Sequence, residues 1–153
     1  MPDMAIKPDR LLAVLSFASF ISLLPGLVEA GTPPEGYWLN GDKSVVVAIG
    51  ACEAGSAKLC GIIVGLPGAT SNTELERYRS ELCGLPLIWD LQSGDGNQFW
   101  QDGKILDPET GQVHDLQANF VGHVLELRVF EARRTKTYKL TWQKVETFKE
   151  PCT

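Results

Sequence analysis

The sequence predicts a small all-β domain: an antiparallel, up-and-down barrel of about eight strands, with one short helix or long loop near residues 71–82. Three observations carry that expectation. Short runs of alternating apolar and polar residues recur along the chain, which is the period of a strand with one buried face. Turn pairs punctuate them, Asn40-Gly41, Asp102-Gly103 and Val121-Gly122 among them, and Asn-Gly and Asp-Gly supply the positive φ angles of tight hairpins. A meander of this many strands must curl or close, because an open sheet leaves its edges unpaired.

In order, the runs are "GYWLN", "SVVVAIGAC", "LCGIIVGL", "LPLIWDL", "QFWQ", "KILDPETG", "QVHDLQANF", "HVLELRVF" and "KTYKLTWQKV". The segment "SNTELERYRSEL", Ser71 to Leu82, has a different rhythm; its polar residues, Arg77 and Arg79 among them, suit a short helix or a surface loop. Alternation then assigns faces. Tyr138, Leu140 and Trp142 share one side of the last strand, as do Leu125, Leu127 and Val129 in the strand before it. His114, Leu116, Ala118 and Phe120 form another such set, and Leu85, Leu87, Trp89 and Leu91 an earlier one. These sides face inward, so the expected interior is apolar and aromatic with one histidine in it.

The N-terminus carries Lys7 and Arg10, then the uncharged "LLAVLSFASFISLL", Pro25 and "GLVEA". A basic n-region, a short apolar h-region and small residues at Val28 and Ala30 read as a secretory signal peptide over residues 1–30, cleaved after Ala30. The apolar run falls short of the roughly 20 residues that span a bilayer, which argues against an uncleaved anchor. Removal of thirty of the 153 residues leaves one domain, residues 31–153, with twelve basic and sixteen acidic side chains. That balance argues against nucleic acid and anionic membrane surfaces, which attract clustered Lys and Arg. The expected location is periplasmic or secreted.

All four cysteines, Cys52, Cys60, Cys83 and Cys152, lie in the exported part. An even count in an oxidising compartment reads as two disulfides. Of three possible pairings, Cys52 with Cys60 is the local one, because "ACEAGSAKLCG" places a loop between two valine- and isoleucine-rich runs. Cys83 with Cys152 is then the remaining pair. No Cys-x-x-Cys step supports a zinc site, and no metal is expected.

The combination of "GYWL", "LCGIIVGL", "RSELCGLPLIWDL", "GKILDPETGQ" and a terminal "TWQK" resembles the bacterial exported proteins of domain of unknown function family 2147. The resemblance runs from about Gly36 to Val145. It implies a small lipocalin-like β-barrel and carries no established activity. The family pattern has an aspartate and an Asn-Pro-Asp element where this chain reads "SNTELERYR", in which only Asn72 and Arg79 match. Leu106 and His114 stand where the family commonly has tyrosines, and Trp142-Gln143-Lys144 replaces a closing Trp-x-Arg. Gly36-Tyr37-Trp38 is also similar to the Gly-x-Trp of lipocalins, whose tryptophan plugs the barrel base under a late-strand basic side chain. Lys144 or Arg128 is the expected partner here, as a cation over an indole.

No catalytic constellation is evident. There is no Gly-x-Ser-x-Gly elbow; His114 and His123, on opposite sides of a predicted turn with Asp115 and Glu126 nearby, could be read as a small metal site, but His123 reads better as part of the turn and His114 as a hydrogen-bonded interior or rim residue; and Asp107, before Pro108 and "ETG", reads as an Asx-type cap on a hairpin. The expectation is therefore a protein that is not an enzyme and uses no cofactor. Two readings of its role follow. The first is a barrel that binds a small, partly apolar molecule through Trp38, Trp89, Trp100, Tyr138 and Trp142, with Arg79 or His114 as polar contact. The second is a solid barrel that serves the cell envelope as a structural or protein-interaction module, its outer face, including "SNTELERYRS" and the Arg133-Arg134 pair, meeting another protein. Barrels of this size either fill with side chains or hold one small ligand, so the state of the interior separates the two.

Overall fold

A computed structural model describes residues 34–69, 73–96, 98–131 and 136–153. The predicted signal peptide, Asn72 and the Arg133-Arg134 pair lie outside the described residues. Eight strands form a closed antiparallel barrel in simple sequence order. They are β1 (Gly36–Leu39), β2 (Val46–Ala51), β3 (Leu59–Gly65), β4 (Pro86–Ser93), β5 (Phe99–Leu106), β6 (Val113–Val121), β7 (Val124–Glu131) and β8 (Lys136–Val145). The segment of different rhythm is helical, as α1 (Thr73–Arg77) and α2 (Arg79–Leu82), between β3 and β4.

Up-and-down order sorts the connections by end. The β1–β2, β3–β4, β5–β6 and β7–β8 connections share one end with the helices, and the β2–β3, β4–β5 and β6–β7 turns share the other, or base, with the chain entering at Gly36. Closure falls on β1, whose four residues pair with β2 on one side and with β8 on the other through Tyr37↔Val145, Trp38↔Lys144 and Leu39↔Gln143.

Strands β6, β7 and β8 follow strict alternation, and their inner faces are those the sequence predicts. Ala118 meets Leu127, which meets Leu140; Phe120 meets Leu125, which meets Trp142; Leu116 meets Val129, which meets Tyr138. Strand β4 departs from the expectation. Ile88 and Leu91 are the fully buried inward residues, while Trp89 lies opposite Lys104 on the outer face. The reason is a break in the pleat: Asp90 has φ 57°, and the β3–β4 register shifts twice, around Gly61. A residue inserted into one strand turns the following side chains to the other face.

The pair Asp102-Gly103 makes no hairpin either. "QFWQ" and "KIL" are one strand, β5, with Asp102 at φ 58° and a register shift against β6 between Trp100 and Gly103. Positive φ serves a bulge as well as a turn, and local sequence does not tell them apart. Gly103 also lets the wall close up, since a Cβ there would lie 2.6 Å from Leu91 Cδ1.

Both disulfides form as expected. Cys52–Cys60 staples the β2–β3 turn, and Cys83–Cys152 ties the end of α2 to the C-terminal tail. After β8 the tail returns to β3, where Leu66 N–H donates to Glu150 O at 3.0 Å and Cys152 N–H to Val64 O at 2.8 Å. The Phe148 ring packs onto Gly65, leaving no room for a side chain there, and meets Tyr37 edge-on at 5.3 Å. No helix among the described residues is long and apolar enough to cross a membrane.

Candidate functional site

At the base, Trp38 is fully buried and its indole N–H donates to Pro34 O at 2.8 Å. Its ring meets Phe120 edge-on at 5.6 Å, and Lys144 Nζ lies 5.7 Å from its centroid. Of the two basic side chains the sequence offers for this place, Lys144 fills it, because the β1–β8 register sets it opposite Trp38. Arg128 lies on the outer wall between Gln117 and Lys139. The glycine of Gly-x-Trp has a local cause too: Gly36 has φ 123°, and a Cβ on it would press on the Lys144 stem at 3.1 Å.

Above the base the interior is filled. Trp38, Ile88, Leu91, Leu125, Leu127 and Val129 have no surface left for a water-sized sphere, inside or outside. An enclosed void large enough to hold a ligand would expose the side chains that line it, and the inward side chains of these six residues expose no surface. Trp142 and Trp100 are buried among them. Trp100 contributes the one fully buried side-chain polar atom without a partner among the described residues, its Nε1, a cost of about 1–3 kcal/mol. Of the four tryptophans expected to line a cup, three pack the core and Trp89 stands outside it.

The helix end gathers the polar groups. His114, second in β6, faces inward opposite Ile105 and is nine-tenths buried; no hydrogen bond to its imidazole is found among the described residues. Tyr138, on the same inner face near the start of β8, remains 37% exposed. Asp107, just past the end of β5, acts electrostatically with both. Its carboxylate accepts the Thr110 hydroxyl at 2.7 Å and the Glu109 N–H at 3.0 Å, which is the Asx-type cap read from "DPETG". The Thr110 hydrogen bond, with those from the backbone and the nearby His114, holds the Asp107 carboxyl below its usual value. Burial, then the charges of Asp107 and Glu131, push the Tyr138 phenol up. No hydrogen bond or ion pair joins His114 to Asp107 among the described residues; the link between them is electrostatic, and the Asp107 carboxylate is engaged by its own turn.

Arg79 is engaged elsewhere. Its Nε lies 3.0 Å from Glu76 in α1, and its Nη2 3.7 Å from Glu150 in the tail, so it links helix and tail beside the Cys83–Cys152 bond. His114 and His123 stand at opposite ends of β6, and no group of three potential metal ligands occurs among the described residues.

Among the described residues, hollows on the outer wall gather charged side chains. One, of about 240 Å³, is lined by Asp102, Lys104, Asp115, Gln117 and Phe130 among others, and Lys104 and Asp115 form an ion pair across it. Another, of about 320 Å³, is lined by Phe99, Gln117, Asn119, Glu126, Arg128 and Lys139 with the neighbouring wall. The sequence gives no sign of either, because each is assembled across strands.

Comparison with known proteins agrees with this architecture. Residues 36–144 match the family of uncharacterised proteins conserved in bacteria, DUF2147. Among solved structures, protein HP1028 from Helicobacter pylori, described as belonging to the lipocalin family, superposes with a TM-score of 0.52 at 12% identity, over 73% of this chain and 82% of that one. At that identity the likeness establishes the fold. No curated protein matches the sequence.

Proposed function

The chain belongs to the DUF2147 family, and from that premise we propose that it is an exported, non-catalytic barrel of the bacterial cell envelope acting as a structural or protein-interaction module. The observation that supports this reading is the filled interior among the described residues, where Trp38, Ile88, Leu91, Leu125, Leu127 and Val129 are all fully buried. A carrier of the lipocalin kind needs an open cup. Export rests on the predicted signal peptide, and two disulfides, one of them closing a separation of 69 residues, suit an oxidising compartment.

A surface for partners is available. Tyr37, Ala48, Ile62 and Pro86 are register neighbours on the outer face of β1 to β4, and Tyr37 and Ile62 are 42% and 43% exposed. A row of apolar side chains on an outer face suits an interface centre.

A second reading keeps a small, partly apolar ligand but moves it from the interior to the mouth. Its support is the pairing of His114, without a hydrogen-bond partner among the described residues, with the half-exposed Tyr138 at the helix end. Native mass spectrometry of the mature protein purified from periplasm separates the readings. An apo mass carrying two disulfides supports the solid barrel; a mass excess that disappears on denaturation overturns it in favour of a bound molecule.

A further inference from the structure

The larger outer hollow holds an arrangement that stability alone does not favour. Arg128 of β7 and Lys139 of β8 are direct register partners, both exposed on the outer face. Directly opposed side chains on one face have Cβ atoms about 4.5–5.5 Å apart, and like charges so placed repel. No ion pair engages either cation among the described residues. The neighbouring hollow is different: its Lys104 is neutralised by Asp115.

The surroundings of the two cations are those of a binding site. Gln117 lies opposite Arg128 on β6, and Asn119 opposite Phe99 on β5, so two amides border the cations on one side. The Phe99 ring is held at the edge of the hollow against Gly94, where a Cβ would lie 2.5 Å from it. Glu126 also lines the hollow, opposite Asn119 and Thr141, and leaves it with one net positive charge. That suits one oxyanion group and disfavours a polyanion. In a chain of net charge −5, a concave pair of cations with no ion pair among the described residues is a local exception that long-range charge balance does not explain.

We propose that this hollow is a binding site for a single oxyanion, a carboxylate or phosphate carried on a small molecule with a flat apolar part. Arg128 and Lys139 hold the oxyanion, since the guanidinium presents a fork of donors and the ammonium a point charge. Gln117 and Asn119 donate from their amides, and Phe99 takes the flat part against its ring. The bound anion relieves the repulsion between the two cations, so affinity is gained from a contact the free protein holds at a cost. The site is independent of the barrel interior and of the mouth.

The test is an NMR titration of the disulfide-intact mature protein with phenyl phosphate, benzoate and inorganic phosphate in separate arms. Saturable shifts at the amides of Gln117, Asn119, Arg128 and Lys139 are expected with phenyl phosphate or benzoate, and the tighter of the two identifies the oxyanion. Inorganic phosphate should bind more weakly than phenyl phosphate, and equal binding would strike the apolar part from the proposal. The double variant Arg128→Gln, Lys139→Gln should weaken binding by about tenfold or more, and Lys139→Gln alone by less. Absence of saturable shifts in all three arms, or shifts that persist unchanged in a correctly folded double variant, would overturn the site.

Discussion

Lys144 crosses the base of the barrel over Trp38, its Nζ 5.7 Å from the indole centroid, and reaches Phe120 at 5.9 Å. The pair sits on the seam where β1 meets β8, a seam of only three register pairs. The Lys144 side chain therefore combines packing of an aliphatic stem with a cation over two rings, on the seam that closes the barrel. Lys144→Ala should lower stability by about 1–2 kcal/mol, read as a shift in urea midpoint. Lys144→Arg should retain most of it, because a guanidinium stacks on indole as well. An unchanged midpoint for the alanine variant would show that the contact contributes nothing.

The two disulfides should differ in worth. Cys52–Cys60 closes a separation of 8 residues and Cys83–Cys152 one of 69. On the chain-entropy argument these stabilise by about 2.5 and about 4 kcal/mol respectively. Replacing Cys83 and Cys152 together by serine should therefore cost more in thermal or denaturant unfolding than replacing Cys52 and Cys60. The reverse order would mean that the tail contributes little to the native state beyond its covalent tie.

Much of this architecture can be read from residues alone, and the exceptions share a cause. The inner faces of β6, β7 and β8 follow alternation because their mutual registers run without a shift. In β4 and β5 the positive φ angles of Asp90 and Asp102, with the register shifts beside them, redirect side chains, and the same residues in a turn would look identical in sequence. Trp89 was therefore expected inside and stands outside. The base of the candidate site was readable through Gly36-Tyr37-Trp38, but the choice of Lys144 over Arg128 needed the register across the closing seam. The opposed Arg128 and Lys139 are eleven positions apart in the chain and acquire meaning only when β7 and β8 are paired.

The tail gives a third expectation. The Phe148 ring occupies the space over Gly65, where a Cβ would come within 2.5 Å of it, and the backbone beside it is bonded to Val64 and Leu66. Gly65→Val should displace the ring and loosen the tail while the Cys83–Cys152 bond keeps it attached. Limited proteolysis after Lys149, a site for trypsin, should then accelerate severalfold with the barrel intact. Phe148→Ala should loosen the tail in the same way. Equal protection in all three proteins would show that the hydrogen bonds and disulfide alone hold the tail.

Acid and alkaline unfolding should each carry the mark of one residue at the helix end. Asp107 has a carboxyl held below 3.8, chiefly by the Thr110 hydroxyl, so its folded form binds a proton less readily than the unfolded one. The associated stability is present above the unfolded value and is lost as the pH falls through the lowered folded value. Asp107→Asn should therefore flatten the stability profile below about pH 4, and Thr110→Val should do so in part. Tyr138 has the opposite sign. Its phenol is raised above 10.0 by burial first and by the Asp107 and Glu131 charges next, so its contribution is present below the unfolded value and is lost as the pH rises through the raised folded one. Tyr138→Phe should remove that alkaline loss, and a double variant with Asp107→Asn should show the two changes to be coupled, since one charge acts on both. Urea midpoints measured from acid to alkaline pH for the four proteins check the signs, and additive behaviour of the pair would remove Asp107 from the surroundings of Tyr138.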